Sequence, residues 1–419
     1  MRHLVGAAAL FAVLSTRAGA GGSESRTLYV NCGGPPGDGS WSAPYDSITA
    51  SLQSAEALST SYRVTINVRG VCRAETFPLS LDFPVHLQGQ RLGKYDSQGW
   101  PLPDAWRDTV IVRPASTPVP ASMVRITADG VRISRISLDG ELVLPPDGNA
   151  GPPANAPIGI LAHGADGLSI EGVRVSNTTL GIRSVGSSGT ITGCHVGPAN
   201  SGLGVFGGDP ADETTVLLLN NRILYRVNGI GVAGGISANP ALGQPAGTEL
   251  TLHMWRNDIA TTYTETGPTN PAAIRFSPVA ELATDGHMDA TVLYNRIGGP
   301  TKYAIMVHGG PQMAFGGGPY TGSVDAMFLG TTLDEAAELA SVSIVTFTNA
   351  RATIAPDPRF LAAPYLQDAV YRLWHGGELD TVSVDHPATQ DHPAIGGLVE
   401  LDNELFINDQ LIDNRTFVP

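Results

Sequence analysis

Seven residues have types suited to handling a charged sugar. Arg183 and Arg275 carry planar guanidinium forks that match a carboxylate or a sulfate. Phe206 and Tyr303 offer ring faces on which a sugar can stack. His163, Lys302 and His308 can carry protons or positive charge. Elimination beside a uronic acid needs a base with a pKa near 7 or above and a cation that stabilises the enolate. Lys302, His308 and Arg275 suit those catalytic roles, and Arg183, Phe206, Tyr303 and His163 suit substrate binding. The competing reading is that all seven are ordinary side chains on a solvated sheet.

A second stripe, Arg174, His195, Arg222, Asp258 and Arg296, reads as a surface charge ladder of little energetic weight. Other chemistries lack their signatures. No paired aspartates, zinc-ligand spacing or phosphate-cradling glycine loop is apparent. Asp385-His386 and Asp391-His392 fall in a proline-bearing tail and read as solvated loop. No metal ligands are assigned; calcium stays open as a cofactor.

These residues can cooperate only if the chain stacks them. One six-residue pattern recurs, opening on Ile133, Ile170, Ile191, Leu218, Met254 and Val292 and closing on Leu138, Val175, Val196, Ile223, Ile259 and Ile297. The shortest step between copies is 21 residues, from Ile170 to Ile191, and insertions lengthen the others. A fixed motif with variable insertions is a solenoid signature. A small residue and an apolar one precede most copies: Gly159-Ile160, Gly181-Ile182, Gly204-Val205, Gly229-Ile230, Ala273-Ile274 and Ala304-Ile305. Each coil therefore carries three short strands.

The motif's inner slot holds Ile136, Val173, Cys194, Asn221, Asn257 and Asn295, and the three asparagines are expected to form a ladder from coil to coil. Alternation along the Gly-Ile strand turns Leu161, Arg183, Phe206, Gly231, Arg275 and Met306 outward, with His163 and His308 two residues further on. Insertions on both sides of this strand (139–157, 206–215, 233–250, 260–272, 277–290 and 308–323) would wall a groove along its sheet.

The opening Leu28-Tyr29-Val30-Asn31, the glycine-rich run to Gly39, Pro44-Tyr45, Val64-Thr65-Ile66-Asn67-Val68 and Val85-His86-Leu87-Gln88-Gly89 resemble the start of pectate-lyase-like proteins. So do the late Asp357-Pro358-Arg359-Phe360 and Tyr371-Arg372-Leu373. The resemblance covers roughly residues 27 to 375. It implies an all-β, right-handed parallel β-helix whose substrate cleft lies on the Gly-Ile sheet. It implies little about activity, because that superfamily includes lyases, hydrolases, epimerases and non-enzymes.

The ends and composition complete the expectations. Residues 1–20 read as a cleaved signal peptide: Arg2 and His3, the apolar run Leu4 to Leu14, then Ala18-Gly19-Ala20. Residues 21–62 would hold the first strand and a capping helix marked by Ile48, Leu52, Ala55 and Leu58. The β-helix would span 63–355 and an irregular cap 356–419. No later segment is apolar enough to span a membrane.

Cys32 and Cys72 each follow a strand and could bridge, whereas Cys194 reads as a buried free thiol; three free cysteines is the alternative. The net charge of −14 disfavours nucleic acid as a partner. It also disfavours acidic glycans unless a cation or a local arginine patch offsets it. The expectation is a secreted, extracellular or periplasmic monomer whose partner is a polysaccharide or glycan. The alternative is a non-catalytic exterior module.

Overall fold

The computed structural model describes residues 24–90, 109–113, 122–141, 157–208, 213–233, 249–261 and 287–299, the side chains of 227 and 233 excepted. It also describes the backbone of 272–277, 303–309, 323–329, 332–333, 341–346, 350–355, 370–375, 405–407 and 410–412. Among these residues, 29 strands join in one continuous sheet. Every strand pair in it is parallel except the last, Leu405–Ile407 with Gln410–Ile412.

The shortest coil shows the plan. Leu168–Glu171 lies on a first face, Arg174–Ser176 on a second and Thr178–Val185 on a third. The chain then returns to the first face as Gly189–Thr192, with Ile170 opposite Ile191. The motif openings align from coil to coil: Ile133, Ile170, Ile191, Leu218, Met254 and Val292 occupy one register row. The closing residues Leu138, Val175, Val196, Ile223, Ile259 and Ile297 occupy another. All twelve are at most 1% exposed, so the rows form the hydrophobic interior. Burying each such side chain contributes about 1.5–3 kcal/mol.

The bend inside the motif has one conformation. The residue before the inner slot is left-handed at Arg135, Gly172, Gly193, Asn220, Arg256 and Tyr294, with φ between 52° and 62°. Glycine and asparagine take that conformation readily, but arginine and tyrosine do so against a steric penalty. Beneath them the asparagines are locked to one another. Asn257 Oδ1 accepts from the backbone N–H of Asn221 at 3.0 Å and from its Nδ2 at 2.9 Å. Asn295 Oδ1 accepts the same pair from Asn257, each at 2.9 Å. Asn221 Oδ1 in turn accepts from Cys194 N at 3.0 Å.

Cys194 ends the row as a thiol donor to Ile170 O at 3.6 Å, the position matching the Ile191 O that Asn221 Nδ2 reaches. Burial pushes its thiol up to about 12, so it stays protonated.

At the N-terminal end, Ser25–Asn31 pairs only with Arg63–Cys72 among the strands. The helix Ile48–Ser59 sends Ile48, Leu52 and Ala55 into the common core. Its first turn is held by Ser47, which accepts from Ala50 N, and by Glu75, which accepts from the N–H groups of Ile48 and Thr49. A carboxylate there satisfies orphan donors and meets the positive end of the helix dipole. Cys32 and Cys72 are disulfide-bonded, joining the first strand to the first full coil.

At the other end, parallel stacking continues past residue 355. Val370–His375 pairs with Ser341–Thr346, and Leu405–Ile407 follows on the same face.

Candidate functional site

The third face is built by a spacing rule. Seven residues separate the motif's closing residue from the inward apolar residue of this face: Val175 to Ile182, Val196 to Leu203, Ile223 to Ile230. A small residue precedes each, and a Cβ on Gly181 or Gly202 would strike Val196 or Ile223 respectively. The glycines therefore let the third face close against the second.

This rule corrects one assignment. The Gly204-Val205 dipeptide was expected to align with Gly181-Ile182, but Gly202-Leu203 does so, with Ile182 opposite Leu203 and Arg183 opposite Gly204. Both dipeptides have the same pattern; only the seven-residue spacing separates them. Phe206 therefore leaves the Arg183 row and joins the row of His163, through Val185.

The corrected register row runs Arg125, Leu161, Arg183, Gly204, Gly231, Arg275, Met306, Ser343 and Arg372. Arg183 and Arg275 are three rungs apart on it, about 14 Å at the usual strand spacing. Arg125 and Arg372 were not picked out from sequence. Extending the alternation through Val124-Arg125-Ile126 and Tyr371-Arg372-Leu373 would have found both.

Phe206 still meets Arg183. The guanidinium carbon lies 4.7 Å from the ring centroid, within cation–π range. The ring reaches back because Gly204 leaves room: a Cβ there would come within 2.8 Å of it. On the far side, Gly231 has nothing closer than 3.9 Å to where its Cβ would stand. The row thus has a half-buried arginine on an aromatic ring, then Gly204 beneath that ring, then one bare backbone rung at Gly231, then the Arg275 position.

His163 is exposed two rungs from Phe206 on its row. His308 occupies the strand Tyr303–Gly309 opposite Val345, and Tyr303 sits three residues before Met306 at the strand's start. Lys302 lies outside the described residues, as do most of the insertions expected to wall the groove.

The second face carries the other stripe. Arg174, His195, Arg222, Asp258 and Arg296 are in continuous register. Asp258 lies 3.7 Å from Arg222 and 3.6 Å from Arg296, both exposed arginines. Burial, then Arg174 and Arg222, pulls His195 down to about 4, so it is neutral at pH 7. On the first face, burial and then Arg132 and Arg135 lower His86 to about 4, while its Nε2 lies 2.8 Å from Ser134 Oγ.

Among the described residues, only Cys32, Cys72 and Glu75 cluster closely enough to suggest a metal. The two cysteines are oxidised to a disulfide and Glu75 holds the helix start, so this group is structural.

The chain is a parallel β-helix protein. No protein-family profile and no curated protein matches it. Solved structures that do match include DFA-IIIase from Arthrobacter chlorophenolicus A6 in complex with GF2, at 12% identity over 94% of this chain and 96% of that one, TM-score 0.43. A family 28 exopolygalacturonase from Yersinia enterocolitica matches at 12% identity, over 87% of this chain and 79% of that one, TM-score 0.37. The catalytic unit of a GH87 alpha-1,3-glucanase from Streptomyces thermodiastaticus matches at 15% identity, over 87% of this chain and 71% of that one, TM-score 0.32. Similarities this low bear on no particular residue or reaction. Among the described residues, no helix is long and apolar enough to cross a membrane.

Proposed function

We propose that this is an exported, carbohydrate-active β-helix protein that takes an acidic polysaccharide along its third face. The observation carrying this reading is the Arg183 guanidinium set on the Phe206 ring, which lies over Gly204, with the uncovered Gly231 rung beyond it. A fork next to a flat floor suits a sugar carboxylate or sulfate with its ring lying on the sheet. Arg125, Arg275 and Arg372 on the same row would repeat that contact along a chain. They would also supply the local positive charge that a protein of net charge −14 needs to accept a polyanion. The disulfide fits an oxidising exterior, and the N-terminal residues fit a signal peptide.

Two versions share this site. In one, Lys302 or His308 takes the proton beside the uronate carboxylate, Arg275 stabilises the enolate, and the C4–O bond breaks as the leaving oxygen takes up a proton, giving an unsaturated uronide. In the other the face only binds. The spacing of Arg183 and Arg275, about 14 Å, favours separate subsites over a single reacting centre. No Asp or Glu occupies the described register row from Arg125 to Arg372. That makes hydrolysis by a carboxylate pair from this row the least suited chemistry.

Affinity electrophoresis through polygalacturonate, alginate and chondroitin sulfate, with and without calcium, tests the reading. Retardation in at least one gel is expected. Unsaturated uronide absorbance would then mark the lyase version, and retardation without it the binding version. Free migration in every gel would overturn both.

A further inference from the structure

A second site lies on the first face, at the N-terminal end. Trp41 is 66% exposed, unusual for the largest side chain in a chain with few aromatics. Its position is built. Gly39 N donates to Ala43 O at 2.9 Å, Ser40 N to Asp38 Oδ1 at 2.9 Å and Ala43 N to Ser40 Oγ at 3.1 Å, closing a tight loop around the indole. That loop is tied to the body. Tyr29 N donates to Gly39 O, Asn31 N to Tyr45 O and Tyr45 N to Tyr29 O, each at 2.8–2.9 Å. The Tyr45 hydroxyl meets Ser54 Oγ on the helix at 2.7 Å, and the Tyr45 ring packs where a Cβ on Gly39 would stand.

The loop therefore covers part of an otherwise open strand edge, a task that needs no aromatic. Its tip nevertheless carries an indole standing edge-on to Tyr29, with centroids 5.1 Å apart and planes at 83°. The two rings border a very shallow depression, about 10 Å³ in cavity volume, whose other lining residues are Val30, Pro44, Asn67, Arg69 and Gln90. Arg69 Nε is committed to Asn31 Oδ1 at 3.1 Å, which steadies the guanidinium. Among the described residues, no carboxylate lines the depression.

We infer that this depression is a binding subsite for one ring of a neutral polysaccharide. An exposed, preordered indole offers a flat face to the C–H side of a pyranose, and ordering it again on binding costs little. The Asn67 and Gln90 amides can each donate and accept, which suits vicinal hydroxyls. At about 10 Å³, against the 300–1,000 Å³ typical of enclosing ligand pockets, the site encloses nothing and is an open stacking surface for one ring of a chain. The site does not rest on the arginine row, which lies on another face and would select anions. Its role would be to hold a glycan at the end of the rod.

Affinity electrophoresis through soluble xylan, mixed-linkage β-glucan and dextran tests the inference with the full-length protein. The wild type is expected to be retarded by at least one of them, and Trp41→Ala to lose at least tenfold of that affinity. Asn67→Ala should weaken it several-fold, and Arg183→Ala should leave it unchanged. Thermal unfolding of Trp41→Ala should match wild type, because the indole is exposed. Free migration of the wild type in all three gels, or equal retardation of Trp41→Ala, would overturn the site. So would sedimentation showing that Trp41→Ala turns a dimer into a monomer, since the indole would then cover a second copy.

Discussion

Arg183 and Phe206 meet although they sit on neighbouring rungs in different rows, and the residue that lets them meet is Gly204, directly opposite Arg183. The contact is thus a property of three positions. Gly204→Val should force the ring away from the guanidinium while the inward Leu203 and Val205 hold the strand. Binding of polygalacturonate, alginate or chondroitin sulfate oligosaccharides should weaken several-fold, as for Phe206→Ala, with little change in unfolding midpoint. Calorimetric titration of both variants checks this; full affinity in Gly204→Val would mean that the ring position is incidental.

The asparagine ladder should carry a large share of local stability. Asn257→Ala removes the acceptor for two donors of Asn221 and the Nδ2 donor that reaches Leu218 O and Asn295 Oδ1. Each buried group left unpaired costs about 1–3 kcal/mol. A loss of roughly 3–5 kcal/mol is expected from denaturant unfolding. Asn295→Ala should cost a similar amount, because it removes the acceptor for two donors of Asn257 and an Nδ2 that reaches Met254 O at 3.3 Å and Leu293 O at 3.2 Å.

Thiol chemistry separates the three cysteines. The Cys32–Cys72 bridge spans 40 residues and should stabilise by about 4 kcal/mol in the chain-entropy model. A thiol reagent should find no reactive group in the native protein and one, Cys194, after unfolding without reductant. Three reactive groups under those conditions would contradict the bridge.

Acid should destabilise the fold through its buried histidines. His86 and His195 are held neutral, near 4, chiefly by burial, against 6.5 in the unfolded chain. The unfolded state therefore gains protons first as pH falls. Stability is full above about pH 6.5 and drops as pH falls towards 4. His86→Gln and His195→Gln should flatten that slope in unfolding measured at steps between pH 7 and 4.

Much of the fold was legible because a solenoid repeats its packing rule. The six motif copies named from Ile133 to Val292 align coil by coil, since each places an apolar side chain over its equivalent. The third face was harder to read. There the signal is a small residue before an apolar one, and Gly202-Leu203-Gly204-Val205 offers it twice. Local pattern cannot choose between them; the fixed seven-residue path from Val196 can. At the far end, Tyr371-Arg372-Leu373 lacks the six-residue motif but keeps the alternation, and it pairs in parallel with Val342, Ser343 and Ile344. The role of the arginine row was the least legible, because sequence shows which residues share a face but not what lies across it.

Polyanion binding by the arginines of the third face can be read from Kd values of a defined uronic-acid hexamer for wild type and Arg183→Ala across a salt series. The variant should bind at least tenfold more weakly and lose affinity with salt less steeply, because one screened ionic contact is gone. Equal affinity and equal salt dependence for the two proteins would contradict it.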